Sequence, residues 1–142
     1  MGAVEDILQR MREQRASIQE QLSRVTGEQM LVPVQMRDRQ VSIRFMFYRL
    51  IGHEVEHTVQ MVKTLKGIGK FQTEAQLILS RLQSARGELE GLLLGLEDGD
   101  LDLIPAEGEW SPREVLEHII QVEESYTKRV TDALASPAGT AA

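Results

Sequence analysis

A chain of 142 residues with a net charge of -6 and no cysteine has the length for one domain with a continuous core. Its acidic balance argues against a DNA or RNA partner, because phosphate binding needs a basic footprint and the arginines at Arg37, Arg39 and Arg44 are offset by neighbouring acids. Without cysteine there is no disulfide framework, thiolate nucleophile or thiolate ligand, so any bound metal must be held by nitrogen and oxygen.

The first apolar pattern runs through Val4, Ile7, Leu8, Met11, Ile18, Leu22 and Val25 at steps of three and four, which predicts a helix over 3–26. Gly27 and Pro33 interrupt it. A longer pattern, from Ile43 through Met46, Phe47, Leu50, Ile51, Val55, Val59 and Val62 to Leu65, predicts a second helix over 38–66, stopped by Gly67 and Gly69. A third helix is expected over 73–96, adjacent to the second because the connection is short. The sharpest start signal opens the fourth, over 111–135, with Ser111 as N-cap, Pro112 as first helical residue and Glu114 closing a capping box. Nothing between these helices shows strand alternation, so the expected class is an all-α four-helix bundle forming one domain over 1–135, with a disordered tail over 136–142. The segments Gly27 to Pro33 and Gly99 to Pro105 match at an offset of 72, which suggests two copies of one helical hairpin. No leader-like or membrane-spanning stretch of roughly 20 apolar residues is visible, so a soluble, cytoplasmic protein is expected.

The chemistry concentrates in three histidines. His53 and His57 stand at i and i+4 in the second helix, where both project from one face and can chelate one ion. His118 is the remaining candidate for a third ligand. It lies about 10 Å into the fourth helix, and His57 lies about 13 Å before the end of the second, so the three share a level only if those helices run antiparallel. Glu54 falls near the middle of the second helix's apolar face, where a carboxylate needs a partner. It can orient a histidine or act as a base, and the competing reading is an ion pair with an arginine of a facing helix, such as Arg81 or Arg86. His53, Glu54 and His57 also match the zincin spacing, but the strand context and downstream ligand helix of a zincin are missing.

A His-x-x-x-His pair together with a lone histidine after a Trp-Ser-Pro capping segment resembles the DinB/YfiT-like superfamily of metal-dependent enzymes. The residues carrying the resemblance are Trp110, Ser111, Pro112, Glu114 and His118 in one part, and His53, His57 and Gln60 in the other. The order of the two parts is reversed from the usual one, as if the helical hairpins were permuted. The resemblance implies a three-histidine site for a divalent metal, zinc or nickel, and a small-molecule substrate. It further implies hydrolysis, or transfer dependent on a low-molecular-weight thiol cosubstrate. A homodimer with swapped hairpins would also accommodate the permuted order. The alternative from a different class is a non-enzymatic helical ligand-binding or dimerisation module whose histidines are vestigial or structural.

Overall fold

A computed structural model of the chain describes residues 2–136, and its regular structure is dominated by four helices, in agreement with the expected all-α class. The described residues form two compact units, divided between Gly95 and Leu96. Most of the expected tail, residues 137–142, lies outside the described residues.

The first unit begins with α1 (Ala3–Leu22). This helix ends before the expected residue 26 because Thr26 starts a new structure of its own. Its hydroxyl accepts from the Gln29 amide at 3.2 Å, and the Gln29 side chain accepts from the Thr26 amide at 2.9 Å. That reciprocal pair launches a 3₁₀ turn, Gln29–Leu31, in place of more α-helix.

The expected helix start at residue 38 is corrected, and so is the expected absence of strands. Residues 33–42 form an antiparallel hairpin of β1 (Pro33–Met36) and β2 (Arg39–Ser42), with Val34 opposite Val41 and Met36 opposite Arg39. Arg37 takes a positive φ of 55° at the first of the two turn residues, the position where a type II′ turn prefers glycine. The Gln35 side chain donates to the Arg37 carbonyl at 2.8 Å and braces this turn. At the open end the Ile43 amide donates to the Val32 carbonyl at 2.9 Å, so the hairpin runs directly into α2 (Ile43–Gly67). Ser42 caps that helix by accepting from the Phe45 amide, and the Arg39 guanidinium stacks over the Phe45 ring at 5.3 Å. Half-buried Val34, Met36, Val41, Ile43, Phe45 and Phe47 make this junction one of the better shielded parts of the unit.

The C-terminus of α2 is closed by its own backbone. Gly69 has a φ of 72°, its amide donates to the Lys66 carbonyl, and the Lys70 amide donates to the Leu65 carbonyl at 2.9 Å. This paired closure satisfies two carbonyls that the helix would otherwise leave open. Thr73 and Gln76 then form a reciprocal cap that starts α3 (Glu74–Gly91). The third helix stops short of residue 96, because Leu93 and Leu94 wind on through tighter turns and Gly95 breaks out at a φ of 86°. Although six residues connect them, α2 and α3 do not pack along their lengths, which corrects the expected adjacency. Among the described residues no hydrophobic side chain is buried, so the apolar faces read from the sequence exist without a closed core around them.

The second unit is built around α4 (Pro112–Ala135). Its start falls within one residue of expectation. A second 3₁₀ turn, Asp98–Asp102, precedes it, and this turn overlaps the position of the first one at the repeat offset. Ser111 is 5% exposed and is the one buried residue among those described. Its hydroxyl accepts from the Glu114 amide at 3.2 Å, while its own amide donates to the Glu114 carboxylate at 2.8 Å. Arg113 adds a two-pronged pair with Asp102, at 2.7 and 3.1 Å, that ties the 3₁₀ turn to the base of the helix.

Candidate metal centre

The second helix delivers His53 and His57 to one exposed edge, as their spacing requires. Their rings meet edge to face with centroids 4.4 Å apart. The residue that orients one of them is Gln60, one turn further on. Its Oε1 lies 2.7 Å from His57 Nδ1, a contact that the Nδ1–H tautomer of the ring makes as a donor. In that tautomer Nε2 carries the lone pair. Fixing one ring nitrogen by a hydrogen bond so that the other can ligate is a common device in histidine metal sites.

Glu54 does not lie in an apolar environment as expected. Its carboxylate is exposed and accepts two hydrogen bonds from Arg15 Nη2, at 2.7 and 2.8 Å, which joins α1 to α2. The ion-pair reading foreseen for Glu54 thus has a partner, but the arginine is on the first helix and not at Arg81 or Arg86. Glu56 reaches back along α2 to Arg49 at 3.3 Å.

His118 projects from α4 in the second unit, where the Trp110 ring packs against it edge to face at 5.0 Å between centroids. Trp110 stays 52% exposed, so it both shields one side of the histidine and forms a wall of a shallow apolar depression with Leu103, Ile104, Pro105, Pro112 and Val115. The Arg113 hydrogen bond holds the Asp102 carboxyl below its ordinary range, with some opposition from burial and a further contribution from the arginine's charge. The same pairing raises the Arg113 guanidinium, which stays fully charged.

Three local devices therefore converge on the base of α4, immediately before His118: the Ser111 cap, the Asp102 pair and the Trp110 ring. Residues 81–141 match the sequence model of the DinB superfamily. Over this stretch the chain is similar to the DinB superfamily. The DinB match contains Trp110, Ser111, Pro112, Glu114 and His118, while His53, His57 and Gln60 precede it. No curated protein matches the chain, and no solved structure does.

Chemically, the His53 and His57 pair offers two imidazole nitrogen donors one turn apart, and His118 offers another beside an aromatic wall. Among the described residues, no three histidine, aspartate or glutamate side chains are grouped closely enough to enclose an ion. The donor set suits a borderline divalent cation more than calcium or magnesium, which favour oxygen. Gln60 is the contributor that spacing alone leaves unassigned; its signal is the i, i+3 relation to His57, which puts both side chains on one edge.

Proposed function

We propose that this chain, similar to the DinB superfamily over residues 81–141, is a metal-dependent enzyme acting on a small-molecule substrate in the cytoplasm, with His53, His57 and His118 as ligands to a zinc or nickel ion. The observation that carries the reading is the contact of Gln60 Oε1 with His57 Nδ1 at 2.7 Å, which favours the tautomer with its proton on Nδ1 and Nε2 available to a metal. When bound, the ion supplies Lewis acidity, which makes water or a low-molecular-weight thiol nucleophilic near neutral pH and supports hydrolysis or thiol transfer. Gln60 sets the tautomer and ring plane of His57. Trp110 limits water on one side of His118 and, with Leu103 and Ile104, presents an apolar surface to the substrate. Glu54 is committed to Arg15 at both hydrogen bonds, so it serves better as a tie between α1 and α2 than as a base.

Elemental analysis of the purified protein tests this directly. Near-stoichiometric zinc or nickel is expected in the unaltered chain, with loss in His53→Ala/His57→Ala and in His118→Ala. Gln60→Ala should retain the ligands yet weaken zinc affinity by about tenfold, the usual cost of removing a group that orients a histidine ligand. A chain that takes up neither metal after incubation would overturn the reading and leave the non-enzymatic helical module. If metal binds, turnover of esters or amides with metal alone marks a hydrolase, and strict dependence on an added thiol marks a transferase.

A further inference from the structure

We propose that Trp110 is a positioning residue for His118, its indole holding the imidazole in one orientation before a metal arrives. Ser111 is the N-cap of α4, so Trp110 stands just before the cap and Val115 at the fourth helical position, the two places that a hydrophobic staple joins. Both line the same apolar depression. His118 lies three residues beyond Val115 on the same edge of the helix. The indole reaches it with ring centroids 5.0 Å apart at an interplanar angle of 66°, within the range of a favourable aromatic pair. A leucine would suffice for the staple. The reach of a tryptophan is what carries the contact on to His118.

The backbone on both sides of Trp110 is fixed, which makes the indole a usable brace. Before it, the Glu109 amide donates to the Ala106 carbonyl at 3.1 Å and closes a turn in which Gly108 takes a φ of 81°, a conformation that favours glycine. After it, Ser111 is buried with its amide and hydroxyl both bonded to Glu114, and Pro112 locks the next φ. The two helices brace their histidines differently. His57 contacts the Gln60 amide oxygen, whereas among the described residues no hydrogen-bond partner reaches the His118 ring and the indole is its one aromatic neighbour. Ring packing restricts the imidazole plane while leaving both nitrogens to an incoming cation. All of these contacts at His118 lie within the second unit. Their effect on metal binding rests on the proposed three-histidine site.

NMR of the metal-free protein, together with zinc affinity from chelator competition, tests the proposal on the unaltered chain, Trp110→Leu and Trp110→Phe. The ring-proton signals of His118, assigned with His118→Ala, should be displaced by the indole ring current in the unaltered chain. They should return toward free-histidine values in Trp110→Leu and stay displaced in Trp110→Phe. Zinc affinity should fall about two- to tenfold in Trp110→Leu, the worth of an aromatic contact, and recover in Trp110→Phe. Thermal unfolding should be the same for the leucine and phenylalanine variants, since both keep an apolar staple. Unchanged His118 signals in Trp110→Leu would overturn the proposal, and so would a measurable zinc affinity that is equal in the leucine and phenylalanine variants. A chain that binds no zinc yet shows the displaced His118 signals would sink the three-histidine site while the positioning role stands.

Discussion

The starts of α2 and α4 solve one problem in two ways. Both helices open on a serine whose hydroxyl accepts from the amide three residues on, Ser42 from Phe45 and Ser111 from Glu114. At α4 the third residue is a glutamate that returns the hydrogen bond, Pro112 presets the first turn, and the arginine next to it reaches Asp102. At α2 the third residue is a phenylalanine and returns nothing, so the work passes to the hairpin, to the stacking of Arg39 and to the amide of Ile43. A helix start can therefore be written into four consecutive residues, or delegated to a preceding element that a local reading does not see.

The largest expected effect on this contrast comes from Ser111→Ala, which removes the capping acceptor at a buried site. Chemical denaturation should show a loss of about 1–2 kcal/mol, because the Glu114 amide loses the hydroxyl that accepts from it at the most shielded helix start of the chain. Arg37→Gly works in the opposite direction. It places the preferred residue at the positive-φ turn position and should stabilise the hairpin by about 1 kcal/mol, seen as a raised melting temperature. A loss would mean that the Arg37 side chain contributes more than its backbone strain costs. Ser42→Ala should cost less than Ser111→Ala, about 0.5–1 kcal/mol, since the hairpin holds the entry to α2 after the cap is gone. Equal losses at the two serines would dissolve the contrast.

The smallest effect is on pH dependence. The paired Asp102 titrates below its unfolded value, so its stabilisation is present above the unfolded carboxylate pKa of about 3.9 and is lost as pH falls through the lowered folded value. The wild-type chain should therefore lose slightly more stability than Asp102→Asn on acidification through that window. Because the pair is exposed, the difference should be small and shrink further in high salt. Parallel stability profiles for the two proteins would show that the pair contributes nothing to folding.

How much was legible in the sequence follows the range of the interactions. The α4 start was readable because Ser111, Pro112 and Glu114 act over a few residues, and the end of α2 was readable because Gly69 alone can take its conformation cheaply. The hairpin was not. Its strands have four residues each, Pro33 sits in the first, and its turn is Arg37-Asp38 with no glycine or asparagine to mark it. Glu54 was correctly seen to need a partner, but Arg15 is 39 residues away and nothing local points to it. The His53 and His57 pair was set by helical spacing, whereas the contact of His57 Nδ1 with Gln60 required the folded geometry. The apolar faces were plain, but periodicity does not say what covers them.

The self-closed end of α2 makes the following link a separable seam. Lys70 finishes one helix and Thr73 begins the next, so Phe71 and Gln72 between them, with Phe71 75% exposed, hold neither helix together. Trypsin cutting after Lys70 would leave both flanking helices with their termini satisfied, and the two fragments could be produced and mixed as separate polypeptides. The same link is where a fluorescent label or an inserted peptide can be placed at the lowest cost to the secondary structure on either side.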